Sequence, residues 1–443
     1  MDTKKTALVL SGGGSRGAYE VGVWQALRYM GIKPDMVYGT SVGSINGAMV
    51  VQDKLDLAVS LWKELETDMI FDINLTEGRQ SNSGLKEFLE KSFPDFKEKK
   101  GLLSRTPKAK KTAAKANDLF DKIEIAGFSL NEMQAYAKEI LTNGGAGNTG
   151  LRKLLEKYVD ETAIRNSKVE YGLTTVEIPT FTPHHLYIND IPKGLLHDYI
   201  LASSAVFPAI KAQEINGKKF IDGGFADVMP INMAIKRGAS HIICVYLDAL
   251  GVKQEAKLQE DSSSPEEIIT IESKWDLGNV LTFDKQNAAR LINLGFLDAL
   301  KTYDILQGEY YTFPRGEFDK KTLRDADAAA KVFELNPEII YKRDNLNKIL
   351  KEEIEKLKKY TDVPSWKEIP KDMSLRKAFF KEKAQDHLAI FKEGLLDSVL
   401  AIAIAQGMKD YPEVSEFFTR RGIKNINSDH VSCAHYLLKA GLV

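Results

Sequence analysis

The chain has 443 residues, 43% of them hydrophobic, which suffices for a sizeable core spread over two or three domains or one large domain with an appendage. Lysine plus arginine total 61 and aspartate plus glutamate 62, a formal net charge of −1. That balance excludes a global pull toward nucleic acid or an anionic membrane. Two cysteines far apart, Cys244 and Cys433, make no disulfide framework, which fits a reducing compartment.

In chain order, "ALVLS" is a strand, and "AYEVGVWQALRYMG" is a helix stopping at Gly31. "DMVYGTSVG" is a strand running into a turn, and "SINGAMVVQ" continues as helix. Such alternation predicts a parallel sheet covered by helices. A mostly helical insertion is expected over about residues 68–160. It holds two amphipathic segments, Ser83–Phe93 and Thr149–Val159, a lysine-rich stretch over Lys97–Asp118 and a glycine-rich hinge, Asn143–Gly150. The core resumes with the strands "VEYGLTTVEI" and "HHLYIND" and the helix "HDYILASSAVFPAI", which runs into a proline loop. Asn216-Gly217 between short arms predicts a hairpin. The helix "PINMAIKRG", the strand "HIICVYL" with a buried Cys244, and a surface loop over Ser262–Glu267 follow. Beyond about Arg315 the chain is charged and helical, giving an expected core over 5–310 and a C-terminal helical domain over 315–443.

The N-terminal apolar stretch is too short for a signal-peptide core. The apolar run Leu395–Met408 is shorter than the roughly 20 residues that span a bilayer. A cytoplasmic protein is expected, with peripheral membrane contact open.

Three pieces carry chemistry. "LSGGGSRG" places Gly12, Gly14 and Gly17 in G-x-G-x-x-G spacing after a strand, the fingerprint of a dinucleotide loop. Gly12, Gly13 and Gly14 equally expose backbone N–H groups before a helix, a ready anion site, with Arg16 inside the loop. "GTSVG" places Ser41 between Gly39 and Gly43, strand before and helix after, as a nucleophile elbow requires. "IDGG" puts Asp222 at a strand end, followed by Gly223 and Gly224.

In this order the three pieces resemble the patatin-like phospholipase family. "ASSAVFPAI" and "NLGFLDALK" are similar to further segments of that family, and the resemblance covers about residues 5–305. Val228 departs from it, since relatives often carry Asn there. The resemblance implies a three-layer α/β/α fold with a central, mostly parallel sheet. It implies a lipid acyl hydrolase of phospholipase A or lysophospholipase type, acting on fatty-acyl esters. It also implies a Ser41–Asp222 dyad without histidine, and Gly12, Gly13, Gly14 and Arg16 around the oxyanion. No metal or cofactor is expected, because no EF-hand, H-E-x-x-H or cysteine cluster occurs.

The dinucleotide reading needs an acid at the tip of the second strand. The candidate, Asp35, precedes that strand, and its tip carries Thr40 and Ser41. A nucleotide-dependent oxidoreductase and an acyltransferase on the same site are the alternatives. His184 and His185 are read as satisfied surface histidines. The lysine cluster is read as a solvated face, with headgroup contact as its functional alternative.

Overall fold

The computed structural model describes residues 4–70, 147–206, 210–249, 251–256, 264–360, 393–411 and 428–443. The chain divides into two compact units, Met1–Phe296 and Leu297–Val443. Expectations for the segment Ser83–Phe93, for the lysine stretch Lys97–Asp118 and for residues 143–146 of the hinge fall outside the described residues.

The first unit opens with β1 (Thr6–Leu10), α1 (Ala18–Tyr29), β2 (Met36–Thr40), α2 (Val42–Val51), α3 (Leu55–Glu64) and the single turn α4 (Thr67–Ile70). After the undescribed stretch come α5 (Thr149–Tyr158), α6 (Glu161–Asn166), β3 (Glu170–Ile178), β4 (Thr182–Tyr187) and α7 (Leu196–Ser203). Next are β5 (Gln213–Ile215), β6 (Lys218–Asp222), α8 (Ile231–Lys236), β7 (His241–Tyr246) and β8 (Glu267–Glu272), and α9 (Lys285–Thr302) runs across the boundary between the units.

The sheet runs β5-β6-β3-β2-β1-β7-β8, with β4 also on β3. The run β3-β2-β1-β7-β8 is parallel, and β4, β5 and β6 enter as antiparallel pairs. β1, β2 and β7 are almost wholly buried. Strands covered on both faces read as continuous apolar runs. On one face Ala7, Val9, Met36, Tyr38, Ile242 and Cys244 form a core with Met233, Ala234 and Ile235 of α8. Alternate residues point to the other face, where α2 comes close enough that a Cβ on Gly47 would sit 3.2 Å from Val37.

Asn216 and Gly217 take φ values of 51° and 78°, the left-handed pair that a tight two-residue hairpin needs, and join β5 to β6. The loop expected over Ser262–Glu267 ends early. At Glu267 the chain enters β8, pairing in parallel with β7 from His241. In β8 Ile271 is fully buried and the glutamates are exposed, so an edge strand carries little apolar signal.

The second unit holds a two-stranded ribbon, β9 (Leu306–Gln307) with β10 (Phe313–Pro314), then α10 (Lys320–Val332), α11 (Arg343–Tyr360), α12 (Glu393–Asp410) and α13 (Ser428–Lys439). Asp327 on α10 accepts the Tyr311 N–H at 2.8 Å, and Tyr311, Phe313, Phe318 and Tyr341 pack edge to face beside it. No helix among the described residues is long and apolar enough to cross a membrane.

Candidate active site

Strand register brings Ser41 and Asp222 together. Thr174 of β3 pairs with Thr40 on one side and with His185 of β4 on the other. The next residue, Thr175, pairs with Asp222 and with His184. β4 fills one edge of β3, so β2 and β6 share the other edge and meet there from opposite directions. The last residue of β6 therefore arrives beside the turn that follows β2.

That turn is strained. Ser41 has φ 55° and ψ −127°, outside the ordinary regions for a side-chain-bearing residue. Such a conformation costs on the order of 1–3 kcal/mol and persists only when its surroundings fix it. They do so here. A Cβ on Gly39 would lie 2.2 Å from the Gly43 backbone, and one on Gly43 would lie 2.4 Å from the Leu10 carbonyl oxygen. The Ser41 N–H donates to Ser203 Oγ at 2.9 Å, and the Ser203 hydroxyl donates to the Thr174 carbonyl at 2.7 Å. The Ser44 hydroxyl donates to the Ser41 carbonyl at 2.6 Å. Strand and helix are thus packed backbone to backbone around one serine.

Asp222 is 5% exposed, and Ser41 is 4% exposed. Asp222 Oδ1 accepts the Gly224 N–H at 2.7 Å, which the backbone turn at Gly223 and Gly224 permits. Burial pushes the carboxyl up to about 7, opposed by Ser41 and by the Gly224 N–H. Ser41 is close enough to favour the charged form, yet Oδ2 has no hydrogen bond of regular geometry. A carboxyl that titrates near neutrality beside a hydroxyl can take a proton from it.

The glycine loop lies against this pair. A Cβ on Gly12 would approach Ser41 Cβ to 3.4 Å and Val228 to 3.3 Å. The Gly12 N–H is already committed to the Val228 carbonyl at 2.9 Å, whereas those of Gly13 and Gly14 have no partner among the described residues. Arg16 sits at the loop, but its guanidinium donates to the carbonyls of Gly278, Leu247 and Asp248. Val228, where relatives of the family often carry Asn, is 1% exposed and packs within the apolar core.

Ser41 and Gly14 open on a cleft of about 890 Å³, part of it open to solvent. Its walls come from α2, α3 and α5 and from the loop around Val280 and Phe283, and none of the lining side chains among the described residues is charged. Trp62 stacks on Phe283 at 6.0 Å between ring centres. Asn46 on the wall is fully engaged, donating to Gly17 and Glu20 and accepting from Trp62. Ile70 and α5, which flank the undescribed stretch, also line it. Sequence reasoning missed Ser203, Trp62 and Phe283. The first has only its place in "ASSAVFPAI" as a signal, and the others have none.

His184 Nε2 lies 3.0 Å from Glu177, and His185 Nε2 lies 2.9 Å from Asp227, so neither is paired with Asp222. Asp35 holds the Thr6 N–H at 2.8 Å, at the start of β1 and away from the glycine loop. The dinucleotide reading therefore lacks its acidic partner.

A mostly parallel α/β sheet with a serine in a strained strand–turn–helix junction defines a class of proteins that present one hydroxyl at a sheet's carboxyl edge. Within that class, the chain belongs to the patatin-like phospholipase family, whose model matches residues 8–235, just over half of it. A patatin-like phospholipase domain-containing protein of Caenorhabditis elegans is 38% identical over 95 residues, 19% of this chain and 7% of that protein. A lysophospholipase of Aspergillus terreus is 33% identical over 107 residues, 21% of this chain and 7% of that protein. The matches thus span a small part of these curated relatives' length. The solved structure of VipD from Legionella pneumophila aligns with 100% of this chain and 92% of its own at 13% identity and TM-score 0.32.

Proposed function

We propose that the chain is a lipid acyl hydrolase, a phospholipase A or lysophospholipase-type esterase that works through an acyl-enzyme on Ser41. The meeting of Ser41, which lines the apolar cleft, with the buried Asp222 carboxyl carries this reading. Family membership supports a fatty-acyl ester as substrate. The acyl chain occupies the apolar cleft with its ester carbonyl at Ser41.

Ser41 Oγ attacks the carbonyl carbon, and its proton passes to the Asp222 carboxylate. The tetrahedral oxyanion takes hydrogen bonds from the Gly13 and Gly14 N–H groups, at the start of the 3-10 turn Gly14–Gly17 that leads into α1. Collapse breaks the bond to the alcohol or lysolipid, which leaves with the proton from Asp222. Water then attacks the acyl-enzyme, giving its proton to Asp222, and Ser41 is regenerated. Arg16 ties the glycine loop to the strand-end loops at Leu247, Asp248 and Gly278, and so holds the two N–H groups in place.

Release of fatty acid from lysophospholipids and from soluble acyl esters tests the reading. Wild type is expected to hydrolyse both, and Ser41→Ala to retain the fold and lose turnover. A Ser41→Ala variant that hydrolyses these esters at the wild-type rate would contradict it.

A further inference from the structure

Residues 203–205 touch both halves of the Ser41–Asp222 pair. Ser203 holds the Ser41 N–H at 2.9 Å. The Ala205 carbonyl holds the Asp222 N–H at 3.0 Å. Ser204, between them, is 6% exposed and lines the same cleft as Ser41. Its hydroxyl is buried without a hydrogen-bond partner among the described residues, whereas those of Ser44 and Ser203 are paired. A buried hydroxyl left unpaired costs about 1–3 kcal/mol. Native structures keep few such groups, and a site that awaits a ligand or water is one reason to keep one.

We infer that Ser204 is a catalytic residue of the second half-reaction: its hydroxyl holds the water that releases the acyl group from Ser41. This inference rests on the acyl-enzyme proposed above. That water must give its proton to Asp222, and Ser204 adjoins the residue that hooks the Asp222 backbone. Asn46, another polar side chain on the cleft wall, has its amide fully engaged and offers the water nothing. In the step itself the water oxygen bonds to the acyl carbonyl carbon as one of its protons moves to Asp222. The other water hydrogen is held by Ser204 Oγ. The carbon–oxygen bond to Ser41 then breaks, Asp222 returns the proton to Ser41 Oγ, and the fatty acid departs.

The test follows acylation and release separately in the full-length protein, using a chromogenic acyl ester and intact-protein mass. Ser204→Ala is expected to acylate at the wild-type rate and to release the acyl group on the order of tenfold more slowly. The Ser41 adduct then accumulates. Hydroxylamine, a stronger nucleophile than water, restores release from the variant, and Ser204→Thr releases faster than Ser204→Ala. Wild-type release by Ser204→Ala overturns the inference, as does equal slowing of acylation and release. An enzyme that turns over but never carries an adduct on Ser41 overturns the acyl-enzyme itself, and this inference with it.

Discussion

Asp222 is buried with one carboxyl oxygen lacking a hydrogen bond of regular geometry among the described residues, and burial pushes its protonation up to about 7. As a proton acceptor it must be ionised, so turnover is expected to rise with pH through about 7 and to level above it. The same shift acts on stability with the opposite sign. The folded chain holds this proton more tightly than the unfolded chain, whose aspartate titrates near about 3.9. The favourable contribution of the protonated carboxyl is complete below that value and is lost as pH rises toward about 7. Asp222→Asn is therefore expected to lose most turnover and yet to melt higher than wild type at pH 8, with the gap closing as pH falls toward 4. Thermal unfolding across that range checks it, and a variant that melts lower at pH 8 would contradict the burial argument. The elbow around Ser41 was legible in its flanking glycines, whereas Asp222 was singled out by the family resemblance, its Asp-Gly-Gly being an ordinary turn on its own. The division of labour within the glycine loop was not legible. That Gly12 gives its N–H to Val228, while Gly13 and Gly14 keep theirs, depends on a loop more than 200 residues away.

Among elements, β3 decides the site, because β2 and β6 end on neighbouring positions of its one edge. The strands covered on both faces and the Asn216-Gly217 hairpin were readable as apolar runs and turn chemistry. The antiparallel entry of β6 against β3, and the edge strand β8, were not, since pairing partners leave no trace in local pattern. The contact between β2 and α2 sets a second expectation. Gly43→Ala drives a Cβ to within 2.4 Å of the Leu10 oxygen, a backbone atom that cannot swing aside. It should cost about 3 kcal/mol or more. Gly217→Ala, at φ 78° with nothing within 4 Å, should cost only about 1–2 kcal/mol. Denaturant titration of both variants ranks them, and equal losses would mean that strand and helix do not approach this closely.

At the scale of the whole molecule, the ends of the insertion are informative. Ile70 before the undescribed stretch and α5 after it both line the cleft beside Ser41. A Cβ on Gly150 would meet the Met69 oxygen at 2.2 Å, so the two ends pack together there. We propose that the insertion serves substrate capture, with its lysines meeting anionic lipid surfaces. Changing Lys108, Lys110 and Lys111 together to Gln should lower activity on anionic vesicles several-fold and leave a short soluble ester untouched. Added salt should act in the same unequal way, because screening weakens surface attraction and not the chemistry. Equal effects on both substrates would mark these lysines as a solvated face.

The pairing of Ser41 with Asp222 is tested most directly by a fluorophosphonate reaction followed by peptide mapping, run across pH. The expected result is one adduct, on Ser41, formed at a rate that falls as pH drops through about 7 and that nearly vanishes in Asp222→Asn. An adduct on Ser44, Ser203 or Ser204, or a Ser41 adduct whose rate ignores both pH and Asp222, would contradict it.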